Sequence, residues 1–146
     1  MGGLLIRLRG DRAGNTLVEL ALVTPFIVAI TLGIIDFGRG AQTSMSLRSA
    51  ARVGAEYVSR TGDTEAVARI VANAANLDSD TLVVTPQMFC ECDSGVTKAC
   101  GTYCPDGTAV RRFISVTATQ PFSTLVPYPL LQSPTPLSGR AILRVQ

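Results

Sequence analysis

Residues 12–25, which read RAGNTLVELALVTP, decide the fold of this 146-residue chain. They begin an apolar segment, residues 16–35, in which Glu19 is the only charged side chain. Twenty helical residues at about 1.5 Å each cover about 30 Å, the thickness of the hydrocarbon core of a bilayer. The sequence therefore predicts a membrane-spanning helix near the N-terminus, followed by one small domain.

Charged residues on either side of this segment predict its orientation. Arg7, Arg9 and Arg12 precede it, and the positive-inside rule keeps such a terminus in the cytoplasm. Everything after Asp36 is then exported. We expect a single-pass membrane protein with a cytoplasmic N-terminus and an exported C-terminal domain.

Composition argues against catalysis and against nucleic-acid binding. The chain has no histidine, which excludes Ser-His and Cys-His nucleophile pairs and every His-ligated metal site. No phosphate-binding loop or carboxylate dyad is evident, so we expect neither an enzyme nor a cofactor. A net charge of +2 is too small for a strongly basic nucleic-acid binder.

Three kinds of N-terminal segment could account for the apolar run. A signal peptide has an apolar region of about 7–15 residues and a small-x-small cleavage site. This run is longer, and the best site after it, residues 38–40, has arginine between two glycines. A plain signal anchor fits the length and the charges, with Glu19 reaching up to the headgroups. A type IV pilin-like leader is cut after a glycine, and its mature chain has glutamate at position five.

The pilin-like pattern gives Glu19 a physical role. An acid at the bilayer centre costs about 2.5–3.5 kcal/mol, and less near the interface, so a compensating charge is expected. Cleavage after Gly14 would create a cationic amine on Asn15, about one helical turn from Glu19. That amine, from the same subunit or a neighbour, could neutralise the carboxylate. Pro25 lacks an N–H and predicts a kink or a weak point in the helix.

The segments RAGNTLVELALVTPFIVAITLGIIDFGRG and SLRSAARVGAEYV resemble TadE-like pseudopilins of the tight-adherence (Flp-type) pilus machinery. The resemblance rests on the glycine, the V-E-x-A-L pattern and the proline six residues after the glutamate. It covers residues 12 to about 59. Leu20 stands where major Flp pilins usually have tyrosine, and about a hundred residues follow the apolar run, far more than in major pilins. Both departures favour a minor pilin or pseudopilin.

The resemblance implies a cytoplasmic prepilin-type leader at residues 1–14, a transmembrane helix at 15–36 and an extracytoplasmic pseudopilin domain at 37–146. It implies a protein of the bacterial inner membrane, with a periplasmic C-terminal domain, that helps to initiate, cap or prime assembly of a type IV-like pilus. The implied partners are a prepilin peptidase, other pilins and pseudopilins, inner-membrane assembly platform proteins and the lipid bilayer. The alternative is a signal-anchored, exported ligand-binding or scaffold domain without a pilus role.

The remaining sequence predicts an α+β domain with an antiparallel sheet packed on helix. The first helix should continue to about Ser59, and a second should run from an N-cap at Asp63 to about Leu77. Strands are expected at residues 81–89, 110–119 and 140–145, with residues 121–136 as an irregular loop. The apolar stripe of the first helix should pack on the sheet: Met45, Leu47, Ala51, Gly54, Ala55 and Val58.

Four cysteines lie close together in the stretch CECDSGVTKACGTYC, at Cys90, Cys92, Cys100 and Cys104. They could form an all-cysteine zinc site or remain reactive thiols, but an exported loop favours disulfides. A Cys90–Cys92 bond would close a very small ring. Two pairings stay open: Cys90–Cys104 with Cys92–Cys100, or Cys90–Cys100 with Cys92–Cys104. The loop is also a candidate contact surface, with acidic and aromatic side chains at Glu91, Asp93, Tyr103 and Asp106.

Overall fold

A computed structural model gives the structure of residues 12–77, 80–129 and 133–145. The chain forms two helices, α1 (Arg12–Thr61) and α2 (Val67–Ala75), and then four strands. The strands are β1 (Val83–Glu91), β2 (Thr97–Lys98), β3 (Arg111–Phe122) and β4 (Thr135–Val145). They form one antiparallel sheet in the order β2-β1-β3-β4. The predicted α+β class and order of elements are confirmed.

The chain divides into two compact units, Met1–Gly38 and Arg39–Gln146. The described part of the first unit is the N-terminal part of α1. Its apolar side chains are exposed, as Leu17 at 68% and Phe26 at 71% illustrate. A soluble domain buries side chains of this kind, so this unit has the surface of a helix that is meant to be covered by lipid or by other helices.

The second unit contains the hydrophobic core. The last turns of α1 and one face of α2 pack on β3, whose Ile114, Val116 and Ala118 are fully buried. Alternate residues of a strand point to opposite faces, so these three side chains define the core face of the sheet. The core also contains the following residues of the two helices: Leu47, Ala50, Ala51, Ala55, Val58, Val67, Val71, Ala72 and Ala75.

Two glycines allow the layers of this unit to approach closely. A Cβ on Gly139 of β4 would lie 2.3 Å from the backbone nitrogen of Arg48 and 2.4 Å from the carbonyl carbon of Leu47. A Cβ on Gly54 would lie 2.5 Å from a methyl group of Val71. The backbone of β4 therefore rests directly on the backbone of α1.

The predicted apolar stripe of α1 is correct except at its first member. Met45 is 70% exposed, whereas Leu47, Ala51, Gly54, Ala55 and Val58 are buried. An exposed i, i+4 ion pair also forms in α1, with Arg52 Nε 3.4 Å from Glu56 Oε1. The stripe thus packs on the protein's own sheet, as the sequence predicts.

The second helix starts later than predicted. Asp63 does not cap α2, whose N-cap position is Ala66. Asp63 Oδ1 instead accepts hydrogen bonds from the backbone N–H groups of Glu65 and Ala66, in the turn that leads into the helix. These bonds favour the charged carboxylate and lower the pKa of Asp63 below its ordinary value.

The sheet is more extensive than predicted. Residues 121–136 were expected to be an irregular loop, but both ends belong to strands: Pro121 pairs with Pro136 and Phe122 with Thr135. The two-residue strand β2, which pairs with the end of β1, was not predicted at all. Three expected strands therefore become four.

Candidate assembly site

The N-terminal part of α1 is the first candidate site. Among the described residues it is the one helix that is long and apolar enough to cross a membrane, and its apolar window is not buried within the protein. It fits a single-pass membrane anchor. The hydroxyl groups of Thr24 and Thr31 donate to the carbonyl oxygens of Leu20 and Ile27, at 2.7 and 2.8 Å. These bonds satisfy, inside the helix, polar groups that the hydrocarbon core could not.

Glu19 lies within this exposed apolar surface. Its neighbours Val18 and Leu20 are 61% and 59% exposed, and Glu19 itself is exposed. A carboxylate in this position is available to a group on another helix. The backbone of Gly14 and Asn15 is helical, whereas the side chain of Asn15 and all of residues 1–11 lie outside the described residues. The leader and the cleavage site therefore stay predictions.

Pro25 lies inside α1, and helical structure continues on both sides of it. The proline ring removes one backbone donor from the helix, and a hydrocarbon core would offer no water to replace it. The kink predicted at this position also stays a prediction.

The cysteine-containing loop is the second candidate site. Disulfides join Cys90 to Cys100 and Cys92 to Cys104, with Cα–Cα distances of 5.2 and 5.9 Å. Of the two pairings that the sequence left open, the structure has this one. Because all four sulfurs are in disulfides, none is available as a thiolate ligand for zinc.

Local hydrogen bonds shape the exposed part of this loop. The carboxylate of Asp106 accepts from the hydroxyl group and the backbone N–H of Thr108, at 2.7 and 3.0 Å, and these bonds lower the pKa of Asp106. The guanidinium of Arg111, in β3, binds the carboxylate of Asp93. This ion pair ties the loop to the sheet. Sequence reasoning missed it because the two residues lie 18 positions apart.

The predicted contact residues of the loop do reach its surface. Tyr103 is 73% exposed, Asp93 and Asp106 are exposed, and Glu91 is half-buried. The disulfides hold this aromatic and acidic surface in place, whereas an unlinked loop of this length would move. The use of this surface for contact with another protein stays a prediction. Within the part of the chain that the structure describes, no group of acidic or cysteine side chains could hold a metal ion.

Comparison with known proteins links the first candidate site to a family. No curated protein and no solved structure matches the chain. One family model does match, over residues 14–56, which begin at the glycine of the predicted cleavage site and end in the part of α1 that packs on the sheet. This family is related to pili and is not a family of enzymes. Over residues 14–56 the chain is a match to the TadE-like protein family, which confirms the resemblance seen in its sequence.

Proposed function

We propose that the protein is a minor pilin or pseudopilin that takes part in assembly or initiation of a tight-adherence, type IV-like pilus. The observation that carries the proposal is the TadE-like match over residues 14–56, a segment that contains both Gly14 and Glu19. A prepilin peptidase would cut after Gly14, leaving Asn15 as the first residue. The TadE-like family itself supports the coarser conclusion, a role in the tight-adherence pilus system.

The exposed apolar surface of α1 supports a helix that exchanges lipid for other pilin helices. Leu17, Leu22 and Ile30 are each more than 60% exposed. Such side chains are stable in a bilayer and equally stable against apolar helices of other subunits. A subunit can therefore wait in the membrane and later enter or prime a filament without a large loss of apolar burial.

Glu19 would set the register of that assembly. Asn15 and Glu19 are four residues apart, or about 6 Å along a helix axis. In a bundle of such helices, the amine of one subunit can approach the carboxylate of a neighbour that is displaced along the bundle axis. An ion pair in a low-dielectric environment is strong, so a wrong axial position would leave a charge without a partner.

The disulfides support export of the second unit. Such bonds persist in oxidising compartments and are rare in the cytosol. Export of this domain agrees with the orientation predicted from the sequence, in which the arginines before the anchor stay in the cytoplasm.

The proposal is tested by deleting the gene and restoring it with wild type, Glu19→Gln or Thr31→Val. Glu19→Gln keeps the shape of the side chain and removes its charge. Thr31→Val is the matched control, because the hydroxyl of Thr31 is satisfied within its own helix. Surface pili are counted by electron microscopy, and the protein in the membrane is measured by immunoblot.

We expect few pili in the deletion strain and in the Glu19→Gln strain, and normal pili with wild type and Thr31→Val, at equal protein levels. Normal pili in the deletion strain would refute the pilus role and favour an exported ligand-binding or scaffold domain. Normal pili with Glu19→Gln alone would refute the register role of the carboxylate.

A further inference from the structure

The two edges of the sheet differ in their capacity to accept another strand. On one side, β2 covers only Cys90 and Glu91 of β1, and the uncovered part of β1 contains Pro86. Proline has no N–H to donate, and it is a common device for protecting an edge. On the other side, β4 is an 11-residue strand that pairs with β3 alone among the described strands. Its only proline is Pro136, so every residue from 137 to 145 has a backbone N–H group.

The side chains of β4 that point away from the core carry a simple pattern. Ser138, Arg140, Ile142 and Arg144 are all exposed, and they alternate with the core-facing residues of the strand. Ile142, 48% exposed, lies between the two arginines. Basic and apolar side chains therefore alternate along the open edge.

Neighbouring strands hold this pattern in position. Arg140 Nε donates to Ser115 Oγ at 2.8 Å, and Arg144 lies opposite Phe113 in the register of the sheet. Phe113 in turn stacks on Phe89, with ring centroids 5.5 Å apart. Neither arginine of β4 forms an ion pair with any residue in the described ranges. Their charges are thus available to a partner.

The charges of Arg140 and Arg144 also argue against a second copy of the chain as the partner of this edge. If two β4 strands paired antiparallel about Ile142, Arg140 of each copy would lie across from Arg144 of the other. Like charges directly opposite each other destabilise a strand pair. An acidic strand would instead gain two favourable cross-strand pairs.

We propose that the free edge of β4 binds an extended segment of another protein by strand addition. The segment carries acidic side chains opposite Arg140 and Arg144 and an apolar side chain opposite Ile142, that is, an acid-x-apolar-x-acid pattern. Backbone hydrogen bonds to the edge supply affinity, and the alternating side chains supply selectivity. The inference rests on the second unit alone and holds whether or not the protein acts in a pilus.

Full-length protein in detergent micelles is the sample for the test. A fluorescent nine-residue peptide with Glu-Thr-Val-Thr-Glu at its centre is titrated against it by anisotropy. Two control peptides have Lys in place of both Glu residues, or N-methyl groups on all five backbone nitrogens of the central sequence. The protein variant is Arg144→Glu, whose side chain is exposed, and circular dichroism checks that it is folded.

We expect saturable binding of the acidic peptide and binding at least about tenfold weaker for the Lys peptide, since two attractive pairs become repulsive. The preference for the acidic peptide should disappear in Arg144→Glu, because each peptide then makes one attractive and one repulsive cross-strand pair. The N-methylated peptide should not bind, because it cannot complete the backbone ladder. Absence of binding by the acidic peptide, or equal binding of the acidic and Lys peptides, would overturn the proposal.

Two further outcomes would also overturn it. Undiminished binding of the N-methylated peptide would mean attraction of charge without strand addition. A dimer of the protein in sedimentation experiments that the acidic peptide dissociates would mean that a second copy occupies the edge.

Discussion

Replacing Gly139 by alanine should separate the sheet from the helix that covers it. The added Cβ would lie 2.3 Å from the backbone nitrogen of Arg48, whereas ordinary van der Waals contact begins at 3.4 Å. The nearest atoms all belong to the backbone of Leu47 and Arg48 and cannot rotate away. Either β4 or α1 must therefore shift by about 1 Å, which loosens a packed interior.

The size of the effect follows from two opposing contributions. Overpacking of a well-packed core costs about 1–3 kcal/mol, and a clash with the backbone belongs at the upper end of that range. Alanine also restricts the conformations of the unfolded chain, which raises the free energy of unfolding by about 0.5–1 kcal/mol. We expect a net loss of about 2 kcal/mol in the free energy of unfolding of the second unit.

The assay is urea-induced unfolding of the full-length protein in mild detergent, followed by circular dichroism in the strand region. Gly40→Ala is the matched control, because its Cβ would lie 3.7 Å from the ring of Phe122, an ordinary contact. A glycine-to-alanine change inside a helix raises the free energy of unfolding by up to about 1 kcal/mol. A loss below about 0.5 kcal/mol for Gly139→Ala, or equal losses for the two variants, would refute the close approach of β4 to α1.

Two further predictions concern the second unit. Replacing Cys90 and Cys100 together by serine should lower the free energy of unfolding by about 2–3 kcal/mol, because their bond closes a short loop. Urea-induced unfolding of this variant and of wild type under non-reducing conditions measures the difference. Unchanged stability would contradict the prediction. Asp63 has a folded-state pKa below its ordinary value of 3.8, so its stabilising bonds are fully present above that pH and are lost as the pH falls through the lowered pKa. The stability difference between wild type and Asp63→Ala should therefore shrink below pH 3.8 in acid titrations, and a difference that stays constant to lower pH would contradict this assignment.

Local patterns in the sequence predict much of this fold. The apolar run with one acid predicts the N-terminal part of α1, and spacing near 3.6 residues predicts the buried face of its last turns. Alternation in β3 separates Ile114 and Val116, which are buried in the core, from the opposite face of the sheet. These features depend on residues that are close in the sequence.

Features that depend on distant residues could not be predicted in the same way. The prediction for Met45 is wrong for a local reason instead: Met45 lies two residues, or about 200° around the helix, from Leu47, so it faces away from the core and is 70% exposed. The pairing of Pro121 with Pro136 depends on strand register rather than on local propensity, which for proline disfavours strands. The choice between two disulfide pairings likewise depends on where β1 and the loop place the sulfurs.

The first residue of the mature protein tests the central claim most directly. Intact mass and N-terminal peptide sequencing of the membrane-extracted protein, from cells with and without the prepilin peptidase, would identify that residue. The account predicts a chain that begins at Asn15 only when the peptidase is present. A chain that begins at Met1 in both strains, or one that begins near Ala41, would contradict it.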